Sequence, residues 1–107
     1  ENKSILSVII KKEDTLKDID SYINRQMAGL KDKYDMKGLY VEIKKGKAEF
    51  LGETRPYISV YTNIYGVDMY ERSVYLKVGN YIAEISAFAG DELSAKQMID
   101  TISKIEE

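Results

Sequence analysis

The chain has 107 residues, enough for one domain that buries roughly two thirds of its unfolded surface, and its 16 basic and 18 acidic side chains leave a net charge of −2. Both signs are interspersed, so there is no basic stripe for a phosphate backbone and nucleic acid is not an expected partner. With no cysteine and no histidine, disulfides, thiolate metal sites, cysteine nucleophiles and histidine-based triads fall away, while the redox compartment stays open.

No run approaches the ~20 apolar residues of a membrane-spanning helix. The sequence begins at Glu1 rather than Met, so a part upstream is expected to be missing, whether or not by processing, and any signal peptide or lipid-bearing cysteine would have been in that part. Membrane attachment is therefore expected only through an anchor outside this chain.

Ser4 to Lys11 alternates Leu6, Val8 and Ile10 against Ile5, Ser7 and Ile9, a strand apolar on both faces. Thr15 with Asp18, or Asp14, supplies a helix cap. Leu16, Ile19, Ile23, Met27, Leu30 and Tyr34 then recur at spacings of three and four, giving one apolar helical stripe. Lys17, Asp18, Ser21, Arg25 and Lys31 form its wet face, and Gly29 marks either a close approach to the sheet or an early end.

After a turn at Asp35 to Gly38, Leu39, Val41 and Ile43 oppose Tyr40, Glu42 and Lys44. Lys45 and Gly46 read as a turn into a further strand, Lys47 to Leu51. Pro56 to Tyr65 keeps strict alternation for ten residues, with Ile58, Val60, Thr62 and Ile64 against Tyr57, Ser59, Tyr61, Asn63 and Tyr65. Gly66 to Met69 turns the chain. Tyr70, Val74, Leu76 and Val78 then oppose Glu71, Ser73, Tyr75 and Lys77. Gly79-Asn80 is a two-residue hairpin signal, and its second strand sets Tyr81, Ala83, Ile85 and Ala87 against Ile82, Glu84, Ser86 and Phe88. Gly90-Asp91 caps a last helix, Glu92 to Ile105, with a stripe of Leu93, Met98, Ile99, Ile102 and Ile105. The expected fold is α+β: a mainly antiparallel sheet of about six strands, in the order β-α-β-β-β-β-β-α, packed against two helices.

If the apolar side of every strand faces the helices, the other face of the sheet collects Tyr40, Tyr57, Tyr61, Tyr65, Tyr75 and Phe88 with Glu42, Ser59, Asn63, Ser73, Lys77 and Glu84. Tyrosine among Ser and Asn suits a contact surface, because the ring is a rigid apolar body with a polar tip; cross-strand tyrosine pairs also stabilise a solvated sheet. Tyr40, Tyr57, Tyr61, Tyr65, Tyr75 and Asn63, with Arg55 at the strand entrance, are the candidate binding residues. Arg72 falls on an apolar side and requires a partner. Glu49, Glu53, Glu71 and Glu84 read as solvated carboxylates, and no calcium-loop or phosphate-loop spacing occurs. No catalytic, metal or cofactor residues emerge.

The order of elements resembles the PsbP-like superfamily, which includes DcrB-type bacterial envelope lipoproteins. The matching pieces are SILSVII, then DSYINRQM, then GETRPYISVYT, then YLKVGNYIAEISAFAG, and a final helix with an I-x-x-I-x-x-I ending. The resemblance implies a sheet with helices against it in a non-enzymatic accessory or protein-interaction domain, exported and anchored by a removed segment. It supplies no catalytic residues. The alternative is a module holding a small apolar or sugar ligand between sheet and helix. Exposed sheet edges and the aromatic face also allow a homodimer.

Overall fold

The computed structural model describes residues 5–12 and 18–105. The chain runs β1 (Ile5–Lys12), α1 (Ile19–Met36), β2 (Val41–Phe50), β3 (Glu53–Ile64), β4 (Val67–Val78), β5 (Tyr81–Ala89) and α2 (Glu92–Ile105). The five strands form one sheet in the order β1-β5-β4-β3-β2, antiparallel at every seam. The α+β class stands, with five strands in place of six.

The lost strand is explained at Gly46. Lys45-Gly46 is not a turn but the middle of β2, with Gly46 directly opposite Tyr57 of β3. A Cβ at Gly46 would come within 2.6 Å of the Tyr57 hydroxyl. The glycine therefore makes room for a neighbouring ring, which is one of the few reasons to place glycine inside a strand. The Arg72 guanidinium of β4 rests over the same ring, 3.8 Å from its centre, so Gly46, Tyr57 and Arg72 tie three strands together. Here Arg72 finds the partner that its apolar side demands.

The turns are tighter than the sequence suggests. Leu51-Gly52 and Tyr65-Gly66 both hold positive φ at the two central positions, between the paired residues Phe50 and Glu53, and Ile64 and Val67. Two such residues in succession match the right-handed twist of the flanking strands. Tyr65 consequently leaves the strand, and β4 begins at Val67 rather than Tyr70.

One helix lies on each face of the sheet. Ile58 pairs with Ser73 and Tyr57 with Val74, so the apolar side of β3 continues into the Ser73/Tyr75 side of β4. Tyr22 and Ile23 of α1 pack there with Ile58, Val60, Tyr75 and Ile82. Ala95 and Ile99 of α2 pack on the other face with Phe50, Val74, Ile85, Ala87 and Ala89. The expectation of one apolar face and one tyrosine face is thus corrected: β2, β3, β4 and β5 each contribute side chains to the clusters under both helices.

Each helix starts on the same device. Asp18 accepts from the Ser21 amide at 2.8 Å, and Asp91 accepts from the Ser94 amide at 2.8 Å. Both serine hydroxyls donate to the second carboxylate oxygen. These bonds satisfy otherwise orphaned backbone donors and hold the Asp18 carboxyl below its usual range. Asp18 thus moves from the wet face to the cap. Asp14, Thr15, Leu16 and Lys17 lie outside the described residues. Leu93, expected in the buried stripe, is exposed, and Ala95 takes its place.

Gly29 meets nothing within 4 Å and sits in an exposed helical position, so neither a close approach to the sheet nor a helix end explains it. The two glycines have opposite expected responses to one added methyl. Gly46→Ala should destabilise the chain by about 1–3 kcal/mol, because the Tyr57 ring cannot move without leaving Arg72. Gly29→Ala should stabilise it by about 1 kcal/mol. Chemical denaturation of both variants checks the pair.

Candidate binding cleft on the α2 face

The candidate tyrosines do not share one surface. On the α2 face, one cross-strand row places Glu42 of β2 opposite Tyr61 of β3, and Tyr61 opposite Tyr70 of β4. Lys44 and Ser59 form the next row of that face. With Glu92 at the start of α2 these six side chains line a cleft of about 340 Å³. Tyr61 and Tyr70 lie with ring centres 4.8 Å apart and tilted by 39°, within the range of favourable aromatic pairs.

A polar lattice fixes the rim. The Tyr61 hydroxyl donates to Asp68 Oδ1 at 2.7 Å and Asn63 Nδ2 donates to the same oxygen at 2.9 Å. Asn63 Oδ1 in turn accepts from the Gly66 amide at 2.9 Å, so the side chain closes the Tyr65-Gly66 turn. On the β2 side the Tyr40 hydroxyl donates to Glu42 at 2.5 Å. The Tyr61 bond holds Asp68 below the ordinary carboxylate range, and the carboxylate in return pushes the Tyr61 phenol up. The Tyr70 phenol is raised first by burial and then by the carboxylates of Asp68, Glu92, Glu42 and Asp91. The cleft therefore lies in a negative local field. Among the described residues, no ion pair joins Lys44 to Glu42 or Glu92.

Of the expected binding residues, the structure brings Tyr40, Tyr61 and Asn63 to this cleft and its rim. Tyr65 is fully exposed in the neighbouring turn. Tyr57 is half-buried with α2 and Arg72. Arg55 works inside the fold, its Nε donating to the Phe50 carbonyl at 2.8 Å with Glu53 3.8 Å away. Tyr75 is a correction. It is buried on the opposite face beneath α1, edge-on to Tyr22 at 6.0 Å, because the β3–β4 register turns its side of the strand toward that helix. Tyr70, Asp68 and Glu92 are the cleft residues that sequence reasoning missed. Tyr70 stood on the nominally apolar side of β4, which is the side shared with Tyr61.

The α1 face holds a second polar group. Ser73 Oγ and Ser86 Oγ are 2.7 Å apart. One of the two hydroxyls donates across this pair, and the other is free to donate to its neighbouring carboxylate, with Glu71 3.2 Å from Ser73 Oγ and Glu84 3.4 Å from Ser86 Oγ. Glu71 and Glu84, expected as solvated carboxylates, are thus half-buried. Burial pushes the Glu71 carboxyl up, the Ser73 hydroxyl offsets part of this, and the Glu84 carboxylate adds to it.

No protein-family model and no curated protein matches this sequence. Among solved structures, the chain is similar to a protein of unknown function from Pseudomonas aeruginosa, for which a regulatory role has been suggested. The two are 13% identical, the match covers 94% of this chain and 76% of that one, and the TM-score is 0.52. At that identity the likeness concerns the fold alone.

Glu71 gives a signed pH dependence. A carboxyl raised on folding is protonated more readily in the native state than in the unfolded chain, so its ionisation costs stability as pH rises from the ordinary glutamate range through the raised folded value. Glu71→Gln keeps an acceptor for Ser73 and removes that cost. Its melting temperature should exceed that of the parent at pH 7, and the advantage should disappear near about pH 4. A difference that stays constant between the two pH values would show that the ionised carboxylate is not the cause.

Proposed function

We propose that this chain is a non-catalytic binding module whose contact surface is the tyrosine-and-carboxylate cleft, and that it receives a positively charged group of a protein partner. The observation that carries this reading is the row Glu42, Tyr61 and Tyr70 with Glu92 beside it: two packed phenol rings flanked by two carboxylates. A lysine or arginine side chain entering there gains cation–π contact with the rings and charge-assisted hydrogen bonds to the glutamates. Tyrosine supplies this contact area while losing only two rotatable bonds, and Arg–Tyr contacts are typical of the residues that dominate interface energies. An accessory role outside the cytoplasm, behind a removed anchor, extends the PsbP-like resemblance of the sequence elements and belongs to the same proposal.

A sugar is the second reading. A cleft of about 340 Å³ lies at the small end of ligand sites, it sits between sheet and helix, and Tyr61, Tyr70 and Ser59 offer stacking faces beside a hydroxyl.

Amide chemical shifts of the isotope-labelled chain separate the two readings, on titration with a lysine- and arginine-bearing peptide, its glutamate-substituted counterpart, and a disaccharide. The cationic peptide should shift the Tyr61, Asn63 and Tyr70 amides, with an affinity that weakens as salt is added. The double variant Tyr61→Ala/Tyr70→Ala should bind at least about tenfold more weakly, the scale of a lost aromatic anchor, while keeping its circular dichroism. Shifts caused by the disaccharide alone would replace the protein reading with the sugar reading. If neither probe moves the cleft amides, the binding-module proposal fails.

A further inference from the structure

The two edges of the sheet are built on opposite principles. β2, at one edge, carries Glu42, Lys44, Lys45, Lys47 and Glu49, the charged dressing by which proteins discourage strand addition. β1, at the other edge, carries no charge before Lys11. Its Ile5, Leu6, Val8, Ile9 and Ile10 are 44–67% exposed. Both sides of the strand share this character. Leu6, Val8 and Ile10 pair with Ala87, Ile85 and Ala83 on the α2 face, whereas Ile5 and Ile9 lie on the α1 face. The two buried clusters under α1 and α2 draw their sheet residues from β2, β3, β4 and β5, and neither includes a residue of β1.

We propose that β1 is the seam of a homodimer, in which a second copy of this chain adds its own β1 antiparallel across a two-fold axis normal to the sheet and completes a ten-stranded sheet. The pattern of the strand selects both the occupant and the register. Matching the faces of the two copies requires that paired residue numbers sum to an even value, since side chains alternate. A sum of 16 sets Val8 against Val8, Leu6 against Ile10, Ser7 against Ile9 and Ile5 against Lys11. This register sets Leu6, Val8 and Ile10 opposite one another about the axis, whereas a shift by two residues puts Leu6 opposite Lys12 in one direction and Ser7 on the axis in the other. Charge favours it as well. The two copies of Lys11 sit at opposite ends of the seam, about 20 Å apart, well beyond the ~8 Å screening length in physiological salt. A parallel in-register pairing would instead stack Lys11 on Lys11 and Lys12 on Lys12, a like-charge arrangement that destabilises a sheet. The antiparallel two-fold also keeps both α2 faces on one side, so the dimer presents two clefts in the same direction.

Sedimentation equilibrium of the chain between about 1 and 100 μM should show a monomer–dimer equilibrium with no larger species. Val8→Lys places two like charges on the axis and should raise the dissociation constant at least a hundredfold with an unchanged circular dichroism spectrum. The register is checked separately. Because the chain has no cysteine of its own, Val8→Cys should cross-link to itself on mild oxidation, since directly opposed side chains lie within disulfide reach. Leu6→Cys and Ile10→Cys should cross-link readily only when mixed. A monomer at 100 μM, association that grows without limit, or self-cross-linking of Leu6→Cys as fast as Val8→Cys would each overturn the proposal. Loss of cleft binding leaves these readouts untouched, so the two proposals fail independently.

Discussion

The register between β3 and β4 decides what each face of this molecule can do. Tyr57 opposes Val74 and Ile58 opposes Ser73. A slip of one residue would exchange every side chain of one strand between the two faces. In the observed register, Ile58 and Val60 join Tyr75 beneath α1, and Tyr61 joins Tyr70 beside the start of α2. The slipped sheet would set Tyr61 against Glu71 in one direction or Met69 in the other, and would part it from the Tyr70 ring. Two helices on two faces hold the register, because both clusters must lose buried surface for the strand to move.

Gly46, Tyr57 and Arg72 strengthen the same seam from within the sheet. The missing Cβ of Gly46 and the guanidinium of Arg72 confine one ring that belongs to neither strand. A charge on the α2 face is thereby accommodated against an aromatic surface, without a buried carboxylate and its desolvation penalty. The glycine gives up strand propensity to allow this, and the ring contact offsets that loss.

Local structure was legible in the sequence wherever one residue type has one conformational use. The alternation of Ile58, Val60 and Thr62 announces β3, Gly79-Asn80 announces the last hairpin, and Asp91 before Glu92 announces α2 at its observed start. Relations between strands were not legible. Alternation within one strand does not say which side of the next strand it aligns with, so Tyr75 reads as a neighbour of Tyr61 although it packs against Tyr22. Gly46 was unreadable for a related reason: a glycine after two lysines is chemically identical in a turn and under a ring, and only the opposing Tyr57 tells them apart. Of the cleft, Tyr40, Tyr61 and Asn63 could be found because their strands alternate clearly. Tyr70 and Glu92 could not, since one depends on register and the other on where α2 begins over the sheet.

The cleft exists because α2 is short relative to the strands it crosses. Its 14 residues span about 21 Å, while the 12 residues of β3 span about 40 Å. The helix is pinned at its far end, where the Ser103 hydroxyl accepts from the Leu51 amide at 2.9 Å, close to the β2–β3 turn. Held there, it cannot slide along β3 to cover the Tyr61–Asp68 end of the face. That end must be satisfied by its own side chains, which is why the Tyr61, Asn63 and Asp68 bonds lie there.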